Sequence, residues 1–370
     1  MRTLFYNADF FTGTDLVKGK ALIINGDRIE GFSDPDPASS AELRIDCGGG
    51  LVTAGFIDLQ IAGGGGFLFS SNPDPGALAR ITESIVSTGT TGFLLALPTN
   101  SEEVYRAAFR TVASCRHPAV MGLHMEGPFI SHARRGAHSP ELIKKATPES
   151  VNTLLAEAAG TIRMMTVAPE ECNPDVISLL RERGITVAAG HSKATFREAM
   201  AGFEMGIETT THLFNAMSPL HHREPGLPGA AFLSDTACAS IIADGIHVDY
   251  AMVAIAKRIM KERLFLVSDA VEENDRGAYR HVKGNDRFTL PDGTLSGAKL
   301  TMLDAVRNSI CHAGIEKFEA IRMATLYPAR LVRATDRGTI APGARADLVI
   351  INDDMGLKGV CIDGITELKN

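Results

Sequence analysis

The chain has 370 residues, which is enough for one large domain with a small satellite but too little for several independent units. Hydrophobic residues make up 45% of it and charged residues 22%, which is typical of globular proteins that bury a sizeable core. The net charge of −7 excludes the overall positive field that attracts nucleic acids and anionic membranes, so we expect neither partner.

The N-terminal sequence MRTLFYNADFF lacks the basic and apolar regions of a secretory signal. No apolar run in the chain approaches the roughly 18 residues that a membrane helix needs. The six cysteines are scattered without a CxxC motif, which indicates neither a disulfide framework nor a cysteine zinc site. We therefore expect a cytoplasmic protein.

Both ends of the chain have the pattern of short strands. Near the N-terminus, ALIINGDRIEGF contains Asn25-Gly26, the pair that a type I′ hairpin favours. The C-terminal segment GTIAPGARADLVIINDDMGLKGVCIDGITEL alternates apolar and polar residues between turn glycines. These patterns predict that residues 1–52 and 333–370 together form one small discontinuous β domain, a β-sandwich built from both termini.

Between these ends, short β-type runs alternate with helical patterns such as Pro75–Thr88, Val176–Arg183 and Thr195–Glu204. Eight runs separated by helices favour a (β/α)₈ barrel over residues 53–332 rather than an open sheet. The fold class is therefore α/β, a TIM-like barrel. The eight runs are Phe56–Ala62, Gly92–Leu97, Val120–Met125, Ile162–Val167, Ile185–Ala189, Glu208–Thr211, Ala239–Ala243 and Leu264–Val267.

Polar side chains follow four of these runs, where each strand would end. They are Glu126, His191, His212 and Asp269. In a barrel the C-terminal ends of all strands open on one face, so residues distant in sequence converge there. Two imidazoles and one carboxylate form a His₂Glu metal set that leaves a coordination position open for water. Asp269 is then the candidate general base beside the metal.

Several longer motifs extend this pattern across nearly the whole chain. They are GFIDLQ (Gly55–Gln60), GLHMEGPF (Gly122–Phe129), AGHS (Ala189–Ser192), THLFNAM (Thr211–Met217), REPG (Arg223–Gly226), ADGIHVD (Ala243–Asp249), VSDA (Val267–Ala270) and TLSG (Thr294–Gly297). In this order the chain resembles the N-acetylglucosamine-6-phosphate deacetylases of the amidohydrolase superfamily. The segments RMATLYPAR (Arg322–Arg330) and GTIAPGARADLV (Gly338–Val349) resemble the superfamily's C-terminal end.

The resemblance implies hydrolysis of N-acetylglucosamine 6-phosphate to glucosamine 6-phosphate and acetate. It implies that Glu126, His191 and His212 hold a divalent metal, that Asp269 transfers protons, and that His138 polarises the acetyl carbonyl. The substrate contacts that it implies are Ala137, His138, Asn215, Ala216, Arg223, Asp244, Gly245, Ile246, His247, Leu295, Ser296 and Gly297. Because the family's phosphate site often borrows groups from a neighbouring subunit, the resemblance also implies a homodimer.

One departure from the superfamily concerns metal number. Many amidohydrolases bind a second metal through His-x-His after the first strand, where this chain has Asp58-Leu59-Gln60, and glutamine is a poor zinc ligand. The segment TVAPE (Thr166–Glu170), at the end of the fourth run, also offers no bridging lysine. We therefore predict one divalent metal per subunit. Zn²⁺ suits the His₂Glu set, while Fe²⁺, Co²⁺, Mn²⁺ and Ni²⁺ also fit.

Other functions stay open at this point. An N-acetylgalactosamine-6-phosphate deacetylase would act on a substrate that differs at one hydroxyl, and another mononuclear amidohydrolase would share the ligand set. A dihydroorotase-like ring opener needs the missing His-x-His and lysine, and an inactive binding barrel would tend to lose ligands that are present here.

We interpret His124 as a hydrogen-bonded core histidine, and His221 and His222 as exposed loop residues. The Gly63–Gly66 run lacks the Gly-Lys-Ser/Thr of a nucleotide P-loop.

Overall fold

The computed structural model describes residues 1–35 and 41–369. Its centre is an eight-stranded parallel sheet with helices between the strands. We number its strands in chain order: β1 Phe56–Ile61, β2 Thr90–Pro98, β3 Val120–Glu126, β4 Ile162–Val167, β5 Thr186–Ala189, β6 Thr209–Thr210, β7 Cys238–Ile241 and β8 Leu264–Leu266. Each strand lies within or overlaps one of the eight predicted runs, so the barrel prediction is confirmed.

The barrel closes between β1 and β8. The Asp269 N–H donates to the Gln60 carbonyl oxygen at 2.9 Å. The fully buried Asp58 carboxylate accepts from the Gln60 N–H at 3.1 Å, from the Ser268 N–H at 3.3 Å and from the Ser268 hydroxyl. Burial raises the pKa of Asp58 to about 6, although these hydrogen bonds oppose the rise. The closure matters for the site because it fixes the strand ends that carry Gln60 and Asp269.

Helices cover the outside of the barrel. The helix α5 (Phe196–Met205) begins with a capping box, since the Thr195 hydroxyl accepts from the Glu198 N–H and the Glu198 carboxylate accepts from the Thr195 N–H. Among the described residues, none of the helices is both long and apolar enough to span a lipid bilayer. The helices are α1 Pro75–Val86, α2 Glu102–Ser114, α3 Pro148–Ala158, α4 Pro174–Glu182, α5 Phe196–Met205, α6 Gly226–Leu233, α7 Tyr250–Met260, α8 Met302–Cys311, α9 Lys317–Ala324 and α10 Leu326–Leu331.

Strands from both termini form a second hydrogen-bonded sheet beside the barrel. It has its own apolar core, which includes Phe5, Phe10 and Leu348. The predicted hairpin is present, with Asn25 paired to Arg28 across the turn. The strands of this sheet are Arg2–Phe11, Leu16–Val17, Ala21–Asn25, Arg28–Ser33, Leu43–Ala54, Leu348–Ile351, Leu357–Ile362 and Ile365–Leu368.

Two small antiparallel units cover the mouth of the barrel. A hairpin after β1 pairs Gly63–Gly64 with Phe67–Leu68. Between β8 and α8, three strands run at Val282–Lys283, Arg287–Thr289 and Leu295–Ala298. Leu68 of the first unit packs in one apolar cluster with Tyr279 and Phe288 of the second segment. The two units therefore form one cover over the C-terminal face, where a barrel carries its functional residues.

Candidate active site and metal centre

The three predicted metal ligands converge on one point of the barrel mouth. Glu126 ends β3, His191 follows β5 and His212 follows β6. The Glu126 Oε1 atom lies 2.9 Å from the Nε2 atom of each histidine, and the two Nε2 atoms are 3.1 Å apart. Ligand atoms around a tetrahedral zinc ion with bonds of about 2.0–2.1 Å are separated by about 3.3 Å. The spacing therefore fits a single shared cation.

Backbone conformation directs these side chains across the mouth. His191, His212 and Asp269 have φ values of +46°, +34° and +52°, in the left-handed region that residues other than glycine rarely adopt. Such conformations persist only where the surrounding structure fixes them, and they concentrate at functional sites. Each of the three comes two or three residues after the end of its strand, and all three line the same cavity.

The protonation pattern of the three ligands also suits a cation. The His191 Nδ1 atom lies 3.1 Å from the Arg134 carbonyl oxygen, which can only accept, so Nδ1 carries the proton and Nε2 keeps its lone pair. His212 Nδ1 is buried without a hydrogen-bond partner among the described residues, so Nε2 is the nitrogen of this ring that contacts Glu126. Burial opposes ionisation of Glu126, but the neighbouring His191 and His212 imidazoles outweigh burial and hold the pKa of Glu126 well below its usual range.

Gln60 connects the ligand cluster to the candidate base. Its Nε2 group donates to Glu126 Oε1 at 3.1 Å and to Asp269 Oδ1 at 3.0 Å. Sequence reasoning treated Gln60 only as a poor metal ligand and missed this bridging amide. Burial and the negative charge of Glu126 raise the pKa of Asp269 to about 7. A carboxyl with a pKa near neutrality can both accept and return a proton at physiological pH.

His138 lies beside the cluster, with its ring centroid 4.4 Å from that of His191. The side chain is buried, and burial, with a smaller effect of the neighbouring His191 ring, lowers the pKa of His138 to about 3. The ring is therefore neutral at physiological pH and can act as a hydrogen-bond donor through one nitrogen. Thr99, which follows β2, contacts the Nδ1 atom through both its N–H and its hydroxyl.

A cavity of about 280 Å³ opens between the ligand cluster and the cover. A larger cavity, of about 600 Å³, lies between α1 and the last strand, away from the metal cluster. The predicted residues that line the smaller cavity are Glu126, Ala137, His138, His191, His212, Asn215, Ala216, His247, Asp269, Leu295, Ser296 and Gly297. Their assignments to metal, acetyl group and sugar remain predictions.

Four predicted substrate contacts do not line this cavity: Arg223, Asp244, Gly245 and Ile246. Asp244 accepts from His247 Nδ1 at 2.6 Å and from the His247 N–H at 2.8 Å, so it orients His247 from behind. Burial opposes ionisation of Asp244, but hydrogen bonds from His247 lower its pKa overall. Arg223 is exposed on the loop before α6, with its Nη1 atom 3.1 Å from His222 Nε2.

Sequence reasoning missed several residues around the cavity. Ser70, Tyr279 and His281 line it, and the buried Ser70 hydroxyl has no hydrogen-bond partner among the described residues. They lie in the cover, where no regular alternation of apolar and polar residues in the sequence identifies them as cavity residues. Thr99 offered a usable signal, because it follows its strand just as His191 and Asp269 follow theirs.

His124 occupies the core position that we predicted for it. Its Nδ1 atom donates to the Leu59 carbonyl oxygen at 2.9 Å, and its Nε2 atom accepts from the Thr166 hydroxyl at 2.7 Å. Both ring nitrogens are thus engaged inside the barrel. The metal cluster among the described residues does not include it.

Comparison with known proteins places these features in a family. The Amidohydrolase family model matches residues 51–366. The chain is 33% identical to the N-acetylglucosamine-6-phosphate deacetylase of Haemophilus influenzae, over 98% of this chain and 99% of that protein. It is 36% identical to the N-acetylgalactosamine-6-phosphate deacetylase of a Shewanella species, over 85% and 82%. The crystal structure of N-acetylglucosamine-6-phosphate deacetylase from Pasteurella multocida is similar with a TM-score of 0.95, at 32% identity and full coverage of both chains. The chain therefore belongs to the amidohydrolase family.

Proposed function

We propose that this protein hydrolyses the acetamide of N-acetylglucosamine 6-phosphate, giving glucosamine 6-phosphate and acetate in amino-sugar metabolism. The observation that carries the proposal is the convergence of Glu126, His191 and His212 on one point of a cavity that also contains Asp269. The names of the related deacetylases supply the class of substrate. The cavity volume suits a small phosphosugar.

The metal site would hold one divalent ion through Glu126, His191 and His212. An ion bound there lowers the pKa of water and polarises an amide carbonyl, which makes attack feasible at neutral pH. Zn²⁺ suits two imidazoles and one carboxylate, and Fe²⁺, Co²⁺, Mn²⁺ and Ni²⁺ accept the same ligands. The position of Gln60 supports a single ion. Its side-chain amide donates hydrogen bonds to the carboxylates of Glu126 and Asp269 and lies between them, where a second ion would bind.

Proton transfer falls to Asp269. An amide nitrogen cannot leave as an anion, so the proton removed from the attacking water has to reach the departing amine. A carboxyl whose pKa lies at about 7 is suited to both steps. His138 lines the same cavity beside the ligand cluster and would donate a hydrogen bond to the carbonyl oxygen as negative charge develops there, a contribution of roughly 3 kcal/mol for one donor.

Phosphate recognition would involve His247 and a second subunit. His247 lines the cavity and donates a hydrogen bond from Nδ1 to the Asp244 carboxylate, which orients its ring for contact with the phosphate. Arg223 does not line the cavity of its own subunit, and the loop that carries it leads into α6. Leu220 before this helix and Leu233 at its end are both exposed. These apolar side chains suit burial against a second copy. We therefore infer a homodimer in which Arg223 completes the neighbour's phosphate site.

The absence of disulfide bonds between the cysteines, all of which lie within the described residues, supports a cytoplasmic location. All six cysteines are free, as expected in a reducing compartment.

A second candidate substrate is N-acetylgalactosamine 6-phosphate, because a relative named as the deacetylase of that sugar phosphate is 36% identical to the chain.

The test is release of acetate after reconstitution with Zn²⁺, using both N-acetylhexosamine 6-phosphates and unphosphorylated N-acetylglucosamine. We expect turnover that requires metal and favours the phosphorylated substrates. Asp269→Asn should abolish it, whereas Asp235→Asn should not, since Asp235 is exposed and precedes β7 at the opposite end of the barrel. A metal-loaded wild type that releases no acetate from either phosphosugar would contradict the proposal and favour another amidohydrolase or a binding barrel.

A further inference from the structure

Thr99 makes two contacts with one nitrogen of His138. The Thr99 N–H donates to His138 Nδ1 at 3.3 Å, and the Thr99 hydroxyl oxygen lies 2.9 Å from the same atom. A backbone N–H can donate but never accept. The Nδ1 atom must therefore direct its lone pair at Thr99, because a proton on Nδ1 would point at the amide proton.

The tautomer of His138 follows from this contact. A neutral imidazole carries one proton, so with Nδ1 as acceptor the proton resides on Nε2. Among the described residues none accepts from Nε2, and His138 lines the cavity next to the metal cluster. The Nε2–H group is thus available to a ligand in the cavity. The opposite tautomer would present a lone pair there and would repel a carbonyl oxygen.

We propose that Thr99 is a positioning residue that fixes His138 as its Nε2–H tautomer and so aims a hydrogen-bond donor at the substrate carbonyl. The inference rests on the proposed deacetylase function for its catalytic meaning, although the tautomer itself can be measured without turnover. Preorganised donors of this kind contribute because they need no reorientation when charge develops.

Contacts from two other elements hold Thr99 in place. The Tyr279 hydroxyl donates to the Thr99 carbonyl oxygen at 2.5 Å, and the Thr99 hydroxyl lies 3.4 Å from the Glu126 carbonyl oxygen. A Cβ on Gly127 would lie only 2.3 Å from the Thr99 hydroxyl oxygen, so glycine at that position leaves the room that the hydroxyl occupies. The fully buried Thr99 is therefore fixed by β3 and by the cover as well as by its own strand.

Nuclear magnetic resonance tests the tautomer directly. In zinc-loaded protein labelled with ¹⁵N-histidine, the His138 signals are identified by their loss in His138→Gln. We expect the Nε2 shift of a protonated nitrogen and the Nδ1 shift of an unprotonated one. A proton on Nδ1 would overturn the proposal. This measurement does not depend on catalysis, so a protein that releases no acetate would contradict the proposed function while the tautomer is still decided.

Kinetics test whether the tautomer matters for turnover. In Thr99→Val a methyl group replaces the hydroxyl 2.9 Å from Nδ1, which is too close for carbon, so the ring must move away from the backbone N–H. We expect kcat to fall at least about tenfold while KM stays within about threefold, and Thr99→Ser to recover most of the loss. Thr82→Val is the matched control, because Thr82 is also buried but bonds only to the Leu78 carbonyl oxygen within α1. Wild-type kcat in Thr99→Val, or an equal loss in Thr82→Val, would overturn the proposal.

Discussion

Replacing Asp269 with asparagine should stabilise the metal-free protein above pH 7 while it abolishes turnover. Burial and the charge of Glu126 raise the pKa of Asp269 from 3.8 to about 7. Each unit of such a shift corresponds to about 1.4 kcal/mol, so ionised Asp269 destabilises the folded state by at most about 4 kcal/mol. Asparagine cannot ionise, and its side-chain oxygen can still accept from Gln60.

The sign of the pH dependence follows from the raised pKa. Between about pH 4 and pH 7 the unfolded chain loses the Asp269 proton freely, whereas the folded protein still holds it. Stability of the wild type therefore falls through this window, and the penalty is complete above pH 7. Asp269→Asn should match the wild type near pH 4 and exceed it at pH 8. A bound divalent cation favours the ionised carboxylate, so added metal should narrow the difference.

The assay is urea unfolding of chelator-treated protein at several pH values, followed by circular dichroism because the chain has no tryptophan. Asp235→Asn, which changes an exposed aspartate, is the control and should show no pH-dependent gain. Loss of turnover by about 10²–10⁴ in the same Asp269→Asn sample would separate a catalytic effect from misfolding. If that variant unfolds at the same or lower urea concentration than the wild type at pH 8, the account of a destabilising, buried base is refuted.

Three further predictions concern metal, substrate and stability. Glu126→Gln removes the anionic ligand, so metal content by mass spectrometry should fall from one ion per subunit towards zero; two ions in the wild type would contradict the role given to the bridging amide. Arg223→Ala should raise KM for the phosphosugar about tenfold or more and affect the unphosphorylated sugar less; equal effects would refute its assignment to phosphate. Arg337→Ala leaves the buried Asp347 carboxylate with Arg345 as its remaining cationic partner, so unfolding free energy should fall by about 3 kcal/mol without a change in kcat; an unchanged urea midpoint would contradict this.

The barrel and the convergence of Glu126, His191 and His212 could be predicted from sequence for a physical reason. Parallel strands are buried on both faces, so each appears as a short continuous apolar run, and all residues of β2 except the last are indeed buried. Their C-terminal ends share one face, so a polar residue that follows such a run marks the site. Glu126, His191, His212 and Asp269 all follow this rule. The placement of Ala137 and His138 near the acetyl group came only from family resemblance.

Other features depended on contacts between residues far apart in the chain. Gln60 reaches Glu126 and Asp269 across 66 and 209 residues, and no local pattern encodes an amide that donates to both. The pKa of Asp269 follows from its burial and from the charge of Glu126, neither of which is a property of the strand that carries it. Arg223 was expected at the substrate from the family resemblance, yet it does not line the cavity. Sequence determined which chemical groups gather at the barrel mouth, because strand periodicity is local. Only tertiary structure decided their hydrogen bonds and protonation, because those depend on neighbours brought together by closure of the barrel.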